Sequence, residues 1–248
     1  MENSEIQTDG NQNENPKTAG SFLQIFFEPA QCFAGINKKP VFIIPLILCI
    51  LVAFATSFVI YSKVDMAQVM RAQLESSSAA AQMSEEQIDQ QVQLGAKFGK
   101  ISALVAPPIT TPLFILLIAG LMMLGIYISG SETTFSRVFS VSTHSMLFYM
   151  VISGILTVTV YLIAADPNAI NPSNPVFTNP AGLVDFKESK VLYSFLSHLD
   201  ILAWYTIYLL GLGLTIVATK CSVAKSVFLV GIWYVLYALV HTGLAAIF

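Results

Sequence analysis

Five stretches of the chain run almost without charge, at about residues 41–61, 112–129, 146–164, 201–219 and 226–248, and polar segments separate them. The last two, ILAWYTIYLLGLGLTIVAT and SVFLVGIWYVLYALVHTGLAAIF, contain no Asp, Glu, Lys or Arg and flank a short connection carrying Lys220 and Lys225. A helix needs about 20 apolar residues to cross a bilayer, and a helical hairpin satisfies the backbone hydrogen bonds that lipid cannot. The pattern predicts an all-α polytopic membrane protein with five transmembrane helices, preceded by short interfacial helices.

The polar segments differ in character. Residues 1–20 are polar, acidic and free of aromatics, too poor in apolar area to offset the entropy of ordering, so a disordered tail is expected. The tail lacks the basic region of a signal peptide, so the first span is expected to stay uncleaved. In 21–39, Phe22, Leu23, Phe26 and Phe27 cluster before Pro29, with Phe33 and Ile36 one turn apart beyond it. Pro29 suits a first helical position, and aromatics followed by lysines suit amphipathic helices in the membrane interface. In the polar loop 63–100, Ser84-Glu85-Glu86-Gln87 fits a capping box and predicts a helix over 85–100, which Pro107-Pro108 is expected to stop. Gly120 and Gly125 in the second span suit close helix approach. A polar turn is expected at 130–145. Residues 165–200, punctuated by Asp166-Pro167, Asn171-Pro172, Asn174-Pro175 and Asn179-Pro180, read as a long turn-rich loop of the kind that often carries function.

Composition narrows the function. The 248 residues are 55% hydrophobic and only 11% charged, against about 25% charged in soluble domains, so most of the surface must face lipid. A net charge of −3 argues against a nucleic-acid partner. Cys32, Cys49 and Cys221 are scattered, with no disulfide framework and no metal spacing, and read as buried or lipid-facing thiols. No HExxH, GxSxG or phosphate-loop motif occurs, and Glu85-Glu86 is followed by Gln90 where an EExxxR protease motif needs Arg. No enzymatic activity and no cofactor are expected.

Asp200 leads the fourth span. At helical spacing, Asp200, Trp204, Tyr208, Gly211, Thr215 and Ala218 form one stripe, whose small residues let a neighbouring helix approach. Asp200 itself suits an N-cap, where its carboxylate accepts first-turn N–H groups; recognition of a ligand or partner is the other reading. His198, Asp200 and His241 fall toward one membrane face and offer zinc-type donors, but their spacing matches no known motif, and no metal is expected.

Three segments, FFEPAQCFAGINKKPVFIIPLIL, TFSRVFSVSTHSMLF and SHLDILAWYTIYLLGLG, together with the lysine-bearing loop and a last span containing Trp233, resemble the Yip (Ypt/Rab-interacting) family of integral membrane proteins, most of all its bacterial branch. The resemblance covers residues 21–248 and rests on the arrangement of elements. It implies five spans, a cytosolic N-terminus and a C-terminus on the far side. It carries over as candidate partner or packing residues Asp200 and Trp204 from the Asp-led span, and Phe135, Phe139 and Ser145 from the polar turn. Eukaryotic members bind prenylated Rab GTPases; the DLYGP-type motif of those members is absent here, so that partner is not carried over.

The basic residues divide evenly across the expected topology: three before span one, one between spans two and three and two between spans four and five lie inside, against six outside. Lys38 and Lys39 before span one, and Lys220 and Lys225 before span five, favour the N-terminus in the cytoplasm and the C-terminus on the opposite face of the cell (inner) membrane. The expected function is a non-enzymatic scaffold or adaptor with membrane lipid and an unidentified membrane or cytosolic protein as partners, with oligomerisation possible. The alternative is a small-molecule permease or an accessory subunit of a transport complex, with a cavity between spans three and four lined by Ser153, Thr157, Tyr208 and Thr215.

Overall fold

The computed structural model describes residues 22–75, 83–172, 174–185 and 189–247. The tail expected to be disordered lies outside them. Nine α-helices occur among the described residues, with no strand: α1 (Gln24–Phe27), α2 (Pro29–Lys38), α3 (Ile43–Lys63), α4 (Met66–Glu75), α5 (Glu85–Ile128), α6 (Phe135–Ile163), α7 (Lys190–Ser197), α8 (Ile201–Val217) and α9 (Val223–Ile247). Four of them, α3, α5, α6 and α9, are long and apolar enough to cross a membrane. The pair α7–α8, bent by 42° at residues 198–200, makes a fifth if taken as one broken span.

Helix α6 is the axis of the bundle. It packs against α3, α5, α8 and the α1–α2 segment. Residues 138–147 are buried without interruption, although a helix facing lipid or water on one side shows a periodic pattern. This corrects the expected polar turn at 130–145. The connection is only 129–134, and Phe135 already begins α6. Ser140, Thr143 and His144 fit a buried helix because they bond back to it. Ser140 Oγ donates to the Ser136 carbonyl at 2.8 Å, and Thr143 Oγ1 to that of Phe139 at 2.7 Å. His144 Nδ1 lies 2.8 Å from the Ser140 carbonyl. The polarity of Ser140 and Thr143 is spent on α6 itself, while the hydroxyls of Ser142 and Ser145 and His144 Nε2 are buried without a partner.

Contacts along α6 and α8 fix an antiparallel register. The Phe148 and Tyr205 rings lie 4.8 Å apart, and Gly213 opens the space into which Val141 fits. Residue 201 is therefore level with about residue 153 of α6, so α8 starts roughly 15 Å short of the α6 C-terminus at 1.5 Å per residue. The chain between them dips inward to meet α8.

The segment α1–α2, expected in the plane of the interface, follows α6 lengthwise. Phe26 meets Phe148 with ring centres 5.8 Å apart, and Phe33 approaches Gly213 and Val141. Ile25, Cys32, Phe33 and Ile36 are fully buried. The missing side chain of Gly213 admits the Phe33 ring, so protein takes the aromatic face that lipid was expected to cover.

Helix α5 departs most from expectation. Pro107-Pro108 does not stop it; the helix continues through Pro107, Pro108 and Pro112 for 44 residues. Each proline removes one backbone donor, a loss tolerated where packing and hydroxyl side chains compensate. Here α3 packs alongside, and Thr110 Oγ1 donates to the Ala106 carbonyl at 2.9 Å. At about 66 Å, α5 is twice the thickness of a hydrocarbon core, so its N-terminal part, before the level where Tyr61 of α3 meets Gly99, projects beyond it. Both capping-box bonds form at Ser84, and α4 packs on the projecting part, where Arg71 pairs with Glu75, Glu85 and Asp89. Gly125 packs against Leu229 of α9, whereas nothing approaches Gly120, which faces outward.

Candidate functional site

The sequence candidates fall into two places at opposite ends of the bundle. The first is the break between α7 and α8. Asp200 is 8% exposed and caps α8: its Oδ1 accepts from the backbone N–H groups of Leu202 at 2.8 Å and Ala203 at 2.9 Å. Its Oδ2 accepts from the Thr178 hydroxyl and from Asn179 Nδ2 at 3.4 Å. The Ile201 N–H donates to the Thr178 carbonyl at 3.0 Å. The carboxylate thus stitches the 174–183 loop onto the start of α8, and its charge sits at the positive end of the helix dipole. Thr178 and Asn179 were not singled out in the sequence. The Asn-Pro dipeptide was the available signal, because Asn179 Oδ1 accepts from the Ala181 N–H in a local turn before Pro180.

His198 and His241 meet beside the same break. His198 Nε2 lies 3.2 Å from His241 Nδ1, which also lies 3.0 Å from Ser194 Oγ. Tyr234 donates its hydroxyl to the His198 carbonyl at 2.8 Å, and Tyr237 packs edge-on to the His198 ring. Asp200 turns away from the imidazoles into its cap. Among the described residues no three His, Cys, Asp or Glu side chains are placed to hold a metal. The cluster pins the C-terminal half of α9 to the bend, as a hydrogen-bonded aromatic joint.

The stripe below Asp200 forms a seam with α9. Trp204 packs edge-on to Tyr234 at 5.8 Å between ring centres. At Gly211 the backbone of Val227 comes so close that an added Cβ would stand 2.8 Å from its Cα and 2.9 Å from its N. Thr215 Oγ1 donates to the Gly211 carbonyl at 2.9 Å and to Ser226 Oγ at 3.0 Å. Tyr208 lies at the outer edge, 44% exposed, beside Tyr205. Thr215 therefore faces α9, and by the α6–α8 register it sits roughly 20–30 Å along the axis from Ser153 and Thr157. The four residues required by a permease cavity do not converge.

The second place is the opposite end, where the connections 129–134 and 218–222 lock together. The Thr219 N–H donates to the Glu132 carbonyl at 2.9 Å, the Glu132 N–H to Thr219 Oγ1 at 3.1 Å, and Thr133 Oγ1 to the Val217 carbonyl at 2.7 Å. Lys225 Nζ donates to the Ser129 carbonyl at 2.9 Å, and Lys220 holds a positive φ of 55° in the tight turn. Phe135 stacks on Phe139, which meets Phe42 edge-on at 5.0 Å, fastening the start of α6 to the start of α3. Phe135 is 43% exposed, and Ser145 is fully buried with no hydrogen-bond partner for its hydroxyl. Lys38, Lys39, Arg137, Lys220 and Lys225 gather at this end with Glu132. Asp65, Glu75, Glu85, Glu86, Asp89, Asp166 and Asp185 lie at the other, together with Lys63, Arg71, Lys97, Lys100 and Lys190.

Comparison with known proteins fits this arrangement. The Yip1 domain family model matches residues 23–245, from the start of α1 almost to the end of α9. No curated protein and no solved structure matches the chain. A match over nine-tenths of the sequence, on a bundle of long apolar helices led by a buried aromatic segment, makes this chain a multi-pass membrane protein of the Yip1 domain family.

Proposed function

We propose that the protein is a non-enzymatic scaffold or adaptor of the cell membrane, which presents one rigid end of its bundle to a protein or lipid partner in the cytoplasm. The observation that carries this reading is the construction of that end. Two short connections are tied together by backbone and side-chain bonds, and the Phe42–Phe139 ring contact fastens the start of α3 to the start of α6 beside them. A rigid surface loses little entropy on binding. Its five cations face one described acid, Glu132, whereas the far end mixes both signs, and a cationic surface suits an anionic partner or leaflet. Exposed Phe135 gives it an apolar contact beside the cations. The chain then crosses five times, with α7–α8 as one bent span and α9 ending on the far side.

Photo-crosslinking groups at Arg137, Lys220 and Phe135 test the proposal in native membranes. A discrete adduct from these positions, absent when the group sits at Asp166 or Asp185, is expected. A partner captured only from the far end, or labelling of Cys221 only from outside sealed cells, would overturn it.

A further inference from the structure

A cavity of about 310 Å³ lies between α3 and α5, toward the far end of the bundle. Its floor is rich in hydroxyls: Ser57 and Tyr61 from α3, and Ser102, Thr110 and Thr111 from α5, next to Pro107. Many hydroxyls on the other long helices bond back to their own helix, as those of Ser140, Thr143, Thr159, Thr206 and Thr215 do, while those of Ser142, Ser145, Tyr161 and Thr242 are enclosed by protein without a partner. At this cavity Thr110 does so, but the hydroxyls of Ser57, Tyr61, Ser102 and Thr111 have no hydrogen-bond partner among the described residues. Pro107 and Pro108 also withdraw the donors that the carbonyls of Ala103 and Leu104 receive in an unbroken helix. Unpaired polar groups at the level of a bilayer are costly, so the cavity calls for a ligand with its own polar atoms.

The surroundings specify the rest of that ligand. Phe58, Ile101, Val105 and Ile109 stand exposed around the cavity and suit hydrocarbon chains. At its aqueous end Tyr61 packs over Gly99. The next residue, Lys100, is exposed and lies three positions before Ala103 and seven before Pro107, on the helix face that lines the cavity. Lys100 forms no ion pair with any described residue. Hydroxyl donors below a cation, with apolar walls open to lipid, match the order of groups down a glycerophospholipid: anionic head, ester oxygens, acyl chains.

We infer that the α3–α5 cavity is a binding site for one anionic glycerophospholipid, its phosphate at Lys100, its glycerol ester oxygens on the hydroxyls of Ser57, Tyr61 and Ser102, and its chains along the apolar rim. The site is distinct from the proposed cytoplasmic face and stands or falls separately.

Native mass spectrometry of the full chain in a mild nonionic detergent reads it directly. The probes are phosphatidylglycerol, phosphatidylcholine and diacylglycerol, each at stepped lipid-to-protein ratios. Wild type is expected to retain one phosphatidylglycerol when phosphatidylcholine has been washed away, and diacylglycerol is expected to bind more weakly. Lys100→Gln should reduce the phosphatidylglycerol preference about five-fold, the effect of one basic residue at an anionic lipid surface. Ala106→Leu, which fills the cavity, should abolish the single retained lipid. Ser57→Ala with Ser102→Ala adds no bulk and should weaken retention several-fold, with unchanged thermal unfolding showing that the fold is intact. Equal retention of the charged and zwitterionic lipids by wild type, or retention by the double serine variant equal to wild type, would overturn the inference.

Discussion

Replacing Asp200 separates its two geometric roles. In Asp200→Ala the α8 cap disappears, and the N–H groups of Leu202 and Ala203 lose their acceptor. Loss of an N-cap costs about 1 kcal/mol, within a range of about 0.5–2. The same change frees the half-buried Thr178 hydroxyl, which water can partly satisfy, so its loss falls at or below the low end of the roughly 1–3 kcal/mol of a buried donor. Asp200→Ala should therefore destabilise the protein by about 1–3 kcal/mol. Asp200→Asn keeps a carbonyl oxygen for the two N–H groups, and Asn caps about as well as Asp. Its amide nitrogen replaces Oδ2, and the Thr178 hydroxyl can rotate to accept from it. Only the long contact from Asn179 Nδ2 becomes donor against donor. The Asn variant should lose about 1 kcal/mol or less. Reversible unfolding in mixed micelles with increasing SDS measures both, and crosslinking at the basic end measures partner capture in the same preparations. If Asn is as destabilising as Ala, the charge matters beyond capping; if Ala costs nothing, the cap does not hold the α8 start. If the Asn variant is fully stable but loses the partner, Asp200 acts in recognition and the structural reading is refuted.

The remaining predictions use other elements. Gly211→Ala places a Cβ against the Val227 backbone, which cannot rotate away, so about 1–3 kcal/mol of overpacking is expected in the same unfolding assay. Gly120→Ala meets nothing within 4 Å and should be neutral or stabilising by up to about 1 kcal/mol. Cys32 and Cys49 are buried in the folded chain, out of reach of a thiol reagent. Maleimide should modify half-buried Cys221 first and reach Cys32 and Cys49 only on unfolding, as mass spectrometry of the labelled peptides would show. Ser84→Ala removes the capping box and should fray the first turn of α5 by about 1 kcal/mol, visible as faster amide exchange at Gln87 and Ile88 with the rest of α5 unchanged.

Local signals in the sequence correspond to local bonds. The Ser84 box and the Asp200 cap each depend on residues two or three apart, which the sequence places directly. Apolar length likewise marked α3, α6 and α9, because bilayer thickness sets a scale visible in one dimension. What misled was any signal whose meaning depends on neighbours. Pro107-Pro108 reads as a helix stop in isolation, and α3 with Thr110 holds the helix through it. The run Ser136 to Ser145 reads as a solvated turn, yet it lies at the centre of the bundle, where Ser140, Thr143 and His144 close on carbonyls of their own helix while Ser142 and Ser145 are buried without a partner. Thr178 and Asn179 sit more than 20 residues from Asp200, so nothing local joined them to it.

The all-round burial of residues 138–147 bears on how the protein is made. Ser140, Ser142, Thr143, His144 and Ser145 would partition poorly into hydrocarbon if α6 entered the bilayer alone. The α8 surface that shelters this stretch is synthesised some sixty residues later. The nascent third span must therefore wait at the translocon or at a chaperone until its successors arrive, and a chain truncated after residue 164 should be degraded, not integrated.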